Sequence, residues 1–263
     1  MIRILLLGAL GKMGRQIAIS AKQCDDIVIT KMVDKIGQNS GGVYSQVTGI
    51  TGYDMEILDD TDSHLFANSD CVVEFTQHDA TVRHVKRAKE YGIPYVIGTT
   101  GFNKVEQQAI SDAAEKMPIF ISANMSRGIN VINLLLNKFV ENFKEYDVEL
   151  WELHHRNKKD APSGTAMMLA NTIRDSNPEE MKIVLGRTGV NSKREKNEIS
   201  VSSIRGGDIF GEHHILFAGN GENIEIVHRA TNRAVFANGA LDAVRFIVKK
   251  QKGIFGFNDM LKV

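Results

Sequence analysis

The fold is decided by residues 2–14, which read IRILLLGALGKMG. The continuous apolar run over Ile2–Leu7 is typical of a strand that is buried on both faces of a parallel sheet. Glycines punctuate the next seven residues, and apolar residues then recur at helical spacing over residues 13–21. A second apolar run, Ile27–Val33, ends in the acid Asp34. The pattern predicts a strand, a glycine turn, a helix and a second strand.

The glycine turn, Gly8-x-x-Gly11-x-x-Gly14, is suited to a dinucleotide. Glycines there allow a tight turn, the approach of a pyrophosphate and close packing of helix on sheet. The spacing differs from the commonest G-x-G-x-x-G, so a turn needed only for packing is the alternative. Asp34 lies where an acid hydrogen-bonds the ribose of NAD and repels the 2′-phosphate of NADP. The adjacent Lys35 offsets that repulsion, so NADH and NADPH both stay open.

The same alternation continues along the first half of the chain. Strand-like runs at Cys71–Phe75, Tyr95–Ile97 and Pro118–Ile121 are separated by helical patterns. This order predicts an α/β fold with a Rossmann-type, doubly wound parallel sheet. Ligands of such sheets lie beyond the carboxyl ends of the strands. A cofactor wall is therefore expected at two strand ends, although ordinary turn chemistry also explains such residues: Gly98, Thr99, Thr100, Ser122, Ala123, Asn124 and Met125.

The pattern changes after Met125. Three strand-like runs, Glu198–Ile204, His213–Ala218 and Asn223–His228, predict an antiparallel sheet in a second, α+β domain. A late helix over Phe236–Lys250 is expected to return to the first domain. The predicted division is a dinucleotide-binding domain of residues 1–125 plus 232–263, and a second domain of residues 126–231.

A basic segment, ELHHRNKKDAPSGTA at residues 152–166, follows a predicted strand. If the strand geometry persists, the pair His154-His155 points to opposite faces. Ser163 is a predicted N-cap, which places the backbone N–H groups of Gly164 and Thr165 in the first turn of a helix. Cations beside a helix start predict a site for a small carboxylate or phosphate. A solvated loop is the alternative.

Composition limits the possible partners and compartment. The chain has 263 residues, and 32 Lys and Arg residues balance 32 Asp and Glu residues. We therefore expect no nucleic-acid or membrane partner. Two cysteines without a C-x-x-C spacing predict reduced thiols and a cytoplasmic protein. The His pair does not match H-E-x-x-H or Cys/His spacing, so no metal is expected.

The central segment resembles the signature of the 4-hydroxy-tetrahydrodipicolinate reductase (dihydrodipicolinate reductase) family. GALGKMG, VIGTTGF, SANMSRGIN, SIRGGDIFGEHH and FANGAL extend the resemblance over nearly the whole chain. It implies a homotetrameric enzyme of lysine and diaminopimelate biosynthesis that reduces a small cyclic dicarboxylate with NADH and/or NADPH. The second domain, residues 126–231, would bind substrate and form the tetramer. By motif position, His154 would be the acid/base residue and Lys158 a second proton donor. His155, Gly164 and Thr165 would then bind substrate.

The resemblance also implies cofactor contacts at Gly8, Ala9, Leu10, Gly11, Lys12, Met13, Asp34, Gly98, Thr99, Thr100, Ser122, Ala123, Asn124 and Met125. The chain departs from some members at Gln77, where they carry Arg. Two alternative functions stay open. One is another two-domain NAD(P)-dependent dehydrogenase that acts on a different small carboxylate or phosphate. The other is a non-catalytic dinucleotide sensor.

Overall fold

The chain forms two compact units in a computed structural model that describes residues 1–35, 37, 41–61 and 64–261. The first unit comprises residues 1–126 together with the segment that begins at Arg233. The second unit comprises residues 127–232. No helix among the described residues is both long and apolar enough to cross a membrane.

The helices and strands follow one another along the chain. The first ten are β1 (Ile2–Leu7), α1 (Lys12–Ala21), β2 (Ile27–Val33), α2 (Tyr44–Thr48), β3 (Ile57–Leu58), β4 (Cys71–Glu74), α3 (His78–Ala88), β5 (Tyr95–Ile97), α4 (Lys104–Ala114) and β6 (Pro118–Ile121). The second unit contains α5 (Arg127–Asn142), β7 (Asp147–His154), α6 (Gly164–Ser176), β8 (Lys182–Leu185), β9 (Glu198–Arg205), β10 (Glu212–Ala218) and β11 (Asn223–Arg229). The chain continues with α7 (Ala234–Ile247), β12 (Gly253–Phe255) and α8 (Phe257–Met260).

The sheet of the first unit has the strand order β12-β6-β5-β4-β1-β2-β3, and all its described pairings are parallel. The predicted doubly wound parallel sheet is therefore confirmed. The position of β1 in the sheet explains why its sequence is continuously apolar. Ile4 and Leu6 pack into one buried cluster, while Leu5 and Leu7 pack into a second. Both faces of the strand are thus covered.

Helix α7 returns to the first unit and packs against α1 and β5. Its residues Ala237, Leu241 and Val244 belong to the same buried cluster as Ile4 of β1. Gly239 permits close packing, because a Cβ there would lie 1.7 Å from the carbonyl oxygen of Met125. The strand that follows, β12, extends the parallel sheet beside β6. The sequence patterns did not predict this last strand.

The sheet of the second unit is mixed, with the order β11-β10-β7-β9-β8. Strand β10 is antiparallel to β7 and β11, whereas β9 is parallel to β7 and β8. The expectation of an antiparallel sheet is therefore wrong for the pairings of β9 with β7 and β8. Helix α6 and strand β8 separate β7 from β9, and such a crossover lets two strands run in the same direction. Helices α5 and α6 cover the core of this unit.

The stretch between β2 and β4 contains α2 and β3, which the sequence patterns did not predict. The hydroxyl of Tyr44 donates a hydrogen bond to the carbonyl of Ala9 at 3.0 Å, and that of Tyr53 donates to Ala18 at 2.9 Å. These bonds attach the stretch to the glycine turn and to α1. Such short elements carry too few residues to show a period. Residues 36, 38–40 and 62–63 of this stretch lie outside the described part of the chain.

Candidate functional site

The glycine turn between β1 and α1 brings backbone close to backbone. Gly8 has a φ of +80°, and a Cβ on it would lie 2.3 Å from the carbonyl oxygen of Phe75. A Cβ on Gly14 would lie 2.2 Å from the carbonyl oxygen of Gly8. Gly11 is the N-cap of α1, and no side chain in the described residues caps it. The start of α1 is therefore suited to a pyrophosphate that accepts its first-turn N–H groups.

Asp34 is held at the carboxyl end of β2 by two backbone donors. Its Oδ2 accepts from the N–H of Leu10 at 2.7 Å, and its Oδ1 accepts from the N–H of Lys35 at 2.9 Å. The carboxylate therefore faces the glycine turn, where a ribose would bind. A cavity of about 370 Å³ opens at this point, and its size suits part of a dinucleotide. Its lining includes Gly8, Gly11, Asp34, Lys35, Asp60, Phe75, Thr76, Gln77, Asp79, Arg83 and His84.

The charged groups of this cavity bear on the choice of dinucleotide. Arg83 lies 3.2 Å from Asp79 and 3.5 Å from Asp60, so its guanidinium is already shared by two carboxylates. Lys35 is the second cation of the lining, and Asp34 is the third carboxylate. Carboxylates thus outnumber the Lys and Arg side chains around the cavity. This balance favours a ribose hydroxyl over a 2′-phosphate.

A buried polar network lies beneath the same cavity and was not anticipated from the sequence. Glu74, at the end of β4, is fully buried and bonds Nδ1 of His84 at 2.6 Å and the hydroxyl of Tyr95 at 2.7 Å. Nε2 of His84 lies 3.3 Å from Asp60. Burial lowers the pKa of His84, but the bonds to Glu74 and Asp60 outweigh that effect and raise it. The network ties α3 to the strand ends, and its one sequence signal is an acid within the apolar run CVVEF.

The remaining predicted cofactor residues lie elsewhere in the first unit. Thr99 is buried, and its hydroxyl accepts from the N–H of Thr76 at 3.1 Å. The side chains of Ala9 and Met125 belong to the apolar core. The described lining of the cavity includes neither of the predicted strand ends, 98–100 and 122–125. Ala9, Thr99 and Met125 can therefore offer a cofactor mainly their backbone.

The second unit concentrates charge at the end of β7. His154 is its last residue, and Nδ1 of the ring lies 2.6 Å from Oε2 of Glu152. Glu152 is fully buried, receives both terminal nitrogens of Arg205 at 2.7 Å, and accepts from the N–H of Ser163 at 3.1 Å. Burial alone would raise the pKa of Glu152, but the bonds from His154 and Arg205 hold it well below its usual value. The carboxylate is therefore ionised.

His213 of β10 joins this cluster. Its ring lies 5.4 Å from that of His154, and its Nε2 lies 3.2 Å from the hydroxyl of Ser163. Burial, reinforced by the neighbouring His154, lowers the pKa of His213 to about 3. No sequence pattern assigned His213 a role at the site, although it lies in the stretch SIRGGDIFGEHH next to His214. Its neighbour His214 stacks on Trp151 at 4.8 Å and bonds Glu225 at 2.6 Å.

The loop after His154 presents the other predicted substrate residues. Nζ of Lys158 lies 2.8 Å from Oδ1 of Asp160, so this carboxylate orients the ammonium group. The carboxylate of Asp160 also accepts from the backbone of Gly164. Ser163 caps α6 by accepting from Ala166 at 3.1 Å, which confirms the predicted N-cap. An anion position thus exists here, because Lys158 and the helix start together hold a carboxylate.

The other three predicted substrate residues are at least partly exposed to solvent. Gly164 faces open space, since a Cβ there would meet no atom within 4 Å. His155 and Thr165 are both partly exposed. The guanidinium of Arg205 binds Glu152, and Arg229 pairs with Glu212 at 3.0 Å. Among the described residues, no group of His, Cys, Asp and Glu is arranged to hold a metal ion.

The first unit carries a dinucleotide turn with a ribose acid, and the second carries an acid–base cluster beside an anion position. These features define a Rossmann-type oxidoreductase. Two family models agree: "Dihydrodipicolinate reductase, N-terminus" matches residues 2–125, and "Dihydrodipicolinate reductase, C-terminus" matches residues 128–261. The chain belongs to the dihydrodipicolinate reductase family, as its motifs predicted.

Curated relatives extend over the full length. The 4-hydroxy-tetrahydrodipicolinate reductase of Clostridium tetani is 41% identical over 262 residues, which are 99% of this chain and 97% of the relative. The enzyme of the same name from Burkholderia multivorans is 38% identical over 98% of each chain. In structure, the chain is similar to the dipicolinate-bound dihydrodipicolinate reductase from Paenisporosarcina sp. TG-14, with a TM-score of 0.74, 22% identity and 97% of each chain covered. That last likeness supports the fold.

Proposed function

We propose that this chain reduces 4-hydroxy-tetrahydrodipicolinate to tetrahydrodipicolinate with NADH and/or NADPH, in lysine and diaminopimelate biosynthesis. The observation that carries the proposal is the buried Glu152–His154 pair beside the anion position of Lys158 and Gly164. A dicarboxylate that must gain a proton needs both a donor and a site for negative charge. The names of the full-length relatives support this substrate.

The first unit fits the cofactor. The first turn of α1, which begins with Lys12 and Met13, offers backbone N–H groups to the pyrophosphate, and Asp34 offers a carboxylate to the ribose. The strand ends at 98–100 and 122–125 are proposed to line the nicotinamide end through their backbone. A bound reduced nicotinamide would supply the hydride.

The second unit would hold the substrate. In the overall reaction the substrate loses one water and gains one hydride and one proton, and the products are tetrahydrodipicolinate, water and the oxidised cofactor. We assign the acid/base role to His154 and a second proton-donating role to Lys158. His155 and the N–H groups of Gly164 and Thr165 would bind a substrate carboxylate. In that case the substrate carboxylate would replace the carboxylate of Asp160 beside Lys158.

We further propose a homotetramer assembled through the second unit and a cytoplasmic location. Two large apolar residues on strands of the second sheet support the assembly, because Leu185 is 62% exposed and Ile204 is 47% exposed. Burial of these two side chains against another subunit would remove their apolar area from water, which favours association. Both cysteines are free thiols, in keeping with a reducing compartment.

The test is steady-state oxidation of NADH and NADPH in parallel, with the aldolase product of pyruvate and aspartate semialdehyde as substrate. Turnover with at least one cofactor is expected. A His154→Gln or Lys158→Ala variant should lose most of kcat and keep its affinity for the cofactor, whereas the exposed neighbour Lys159 serves as a matched control through Lys159→Ala. Oxidation that needs a different carboxylate would favour another dehydrogenase. Cofactor binding without any turnover would favour the sensor.

A further inference from the structure

Glu152 stands two residues before His154 on β7, so both side chains project from the same face of the strand. Oε2 of Glu152 lies 2.6 Å from Nδ1 of His154, which is the length of a charge-assisted hydrogen bond. Glu152 is fully buried and His154 is nearly so. The bond is therefore sheltered from competing water.

The carboxylate of Glu152 cannot turn away from the ring. Arg205 binds it in a bidentate manner, with one guanidinium nitrogen 2.7 Å from each oxygen. The N–H of Ser163 adds a third donor to Oε1 at 3.1 Å. These donors need an ionised acceptor, and the pKa of Glu152 is held far enough below its usual value to provide one. An ionised carboxylate only accepts hydrogen bonds, so Nδ1 of His154 must carry the proton.

The other ring nitrogen of His154 is left for chemistry. Within the described part of the chain, Nε2 has no hydrogen-bond partner. It lies against Gly211, where a Cβ would come within 2.9 Å of Nε2. Gly211 also has a φ of +153°, a conformation that other residues rarely adopt. A glycine at this point keeps the space beside Nε2 clear.

We propose that Glu152 is a positioning residue of the reductase, which commits Nδ1 of His154 so that Nε2 is the atom that exchanges a proton with the substrate. The inference rests on the proposed function of His154. In the transfer, the Nε2–H bond of the protonated ring breaks and the proton joins the substrate. The neutral ring that remains keeps its Nδ1–H on Glu152 and regains a proton at Nε2 from solvent.

The same contacts also fix the loop that carries Lys158. Arg205 donates to the carbonyl oxygen of Asp160 at 2.6 Å, so the guanidinium joins Glu152 to the loop. The N–H of Gly206 donates to the carbonyl of His154 at 3.0 Å. The pair of Glu152 and Arg205 therefore positions both the ring and the second proton donor.

The first experiment compares Glu152→Gln with the wild type. Gln keeps the volume but loses the charge, so we expect kcat to fall by about 10²-fold or more while the KM for cofactor stays unchanged. Glu149→Gln is the matched control, because Glu149 lies on the same strand and pairs instead with Arg187 and Arg194. The control should keep its kcat. A Glu152→Gln enzyme with wild-type kcat would overturn the proposal.

A second readout does not depend on turnover or on the variant's stability. NMR of the imidazole nitrogens in the wild-type protein, at a pH where the ring is neutral, should show His154 with its proton on Nδ1. The resonances that vanish in His154→Gln identify that ring. A neutral His154 with its proton on Nε2 would refute the positioning role. Absent turnover combined with the expected tautomer would refute the proposed reaction, and with it the proton exchange at Nε2, while showing that Glu152 fixes the tautomer of His154.

Discussion

Acid should destabilise the second unit at a pH where its carboxylates are still ionised, because His213 is buried as a neutral ring. The side chain lies in β10 between His154 and Ser163, and its residue is only 4% exposed. Burial is the main cause that lowers its pKa from 6.5 to about 3. The charges of His154, His228 and Lys158 lower it further, while that of Glu152 opposes them.

The sign and size of the effect follow from linkage. The folded pKa lies below the unfolded one, so between about pH 6.5 and pH 3 the unfolded chain binds a proton that the folded chain does not. Stability is therefore full above this window and is lost as the pH falls through it. Each pH unit costs about 1.4 kcal/mol, which amounts to about 2 kcal/mol between about pH 8 and pH 5.

The assay uses the single tryptophan, Trp151, which lies on β7 beside the cluster. Its fluorescence during urea unfolding reports on the second unit. His213→Gln cannot titrate, yet its amide can still donate to the hydroxyl of Ser163. We expect the wild type to lose about 2 kcal/mol more than this variant between about pH 8 and pH 5. The contribution of His228 is common to both proteins and cancels.

The comparison of the wild type with His213→Gln can refute this reasoning. Equal losses in the wild type and His213→Gln would mean that the ring titrates near its ordinary pKa, and the reasoning from burial would be wrong. His78→Gln is the control, because His78 begins α3 in the first unit and its side chain is 46% exposed. That variant should follow the wild type when Trp151 is observed. Direct NMR titration of the His213 ring, which should stay neutral down to about pH 4, gives an independent check.

Two further predictions concern the first unit. In Gly14→Ala the new Cβ would lie 2.2 Å from the carbonyl oxygen of Gly8, so NADH binding measured by fluorescence titration should weaken at least about tenfold, a loss of about 1.4 kcal/mol. Gly206→Ala is the control, because a Cβ there meets nothing within 4 Å, and it should bind NADH normally. Equal NADH affinities of Gly14→Ala and Gly206→Ala would contradict the argument. Asp34→Asn removes a charge worth about 1 kcal/mol to a phosphate some 4 Å away. The ratio of kcat/KM for NADPH to that for NADH should therefore rise about fivefold, and an unchanged ratio would show that Asp34 does not repel the 2′-phosphate.

Local patterns were sufficient for the first unit, because the features that specify it are close in sequence. The alternating burial of Ile4, Leu5, Leu6 and Leu7 between two clusters requires a continuously apolar strand, and that run is visible in the sequence. The capping box of Asn103 with Glu106 likewise lies within one helical turn, so its two residues are close in sequence. The N-cap at Ser163 was predicted on the same basis.

The sequence patterns did not predict features that involve few residues or strands that are far apart in the sequence. Strand β8 is four residues long and its ends are exposed, so its apolar run of three residues is too short to indicate a strand. The predicted antiparallel direction of β9 relative to β7 was also wrong. Alternation along a strand indicates only which face of the strand is buried. It carries no information about which strand lies alongside or in which direction that strand runs.

The sequence by itself determined the parallel sheet, the glycine turn with Asp34, and the basic segment with its helix start, since each is a local pattern of burial, backbone freedom or charge. Only the tertiary structure decided what surrounds His154. Strand register places His213 opposite Glu152 and Arg205 opposite His154, although more than fifty residues separate the members of each pair along the chain. That register also buries the cluster, and burial keeps His213 neutral, whereas the hydrogen bonds from His154 and Arg205 keep Glu152 charged in spite of its burial.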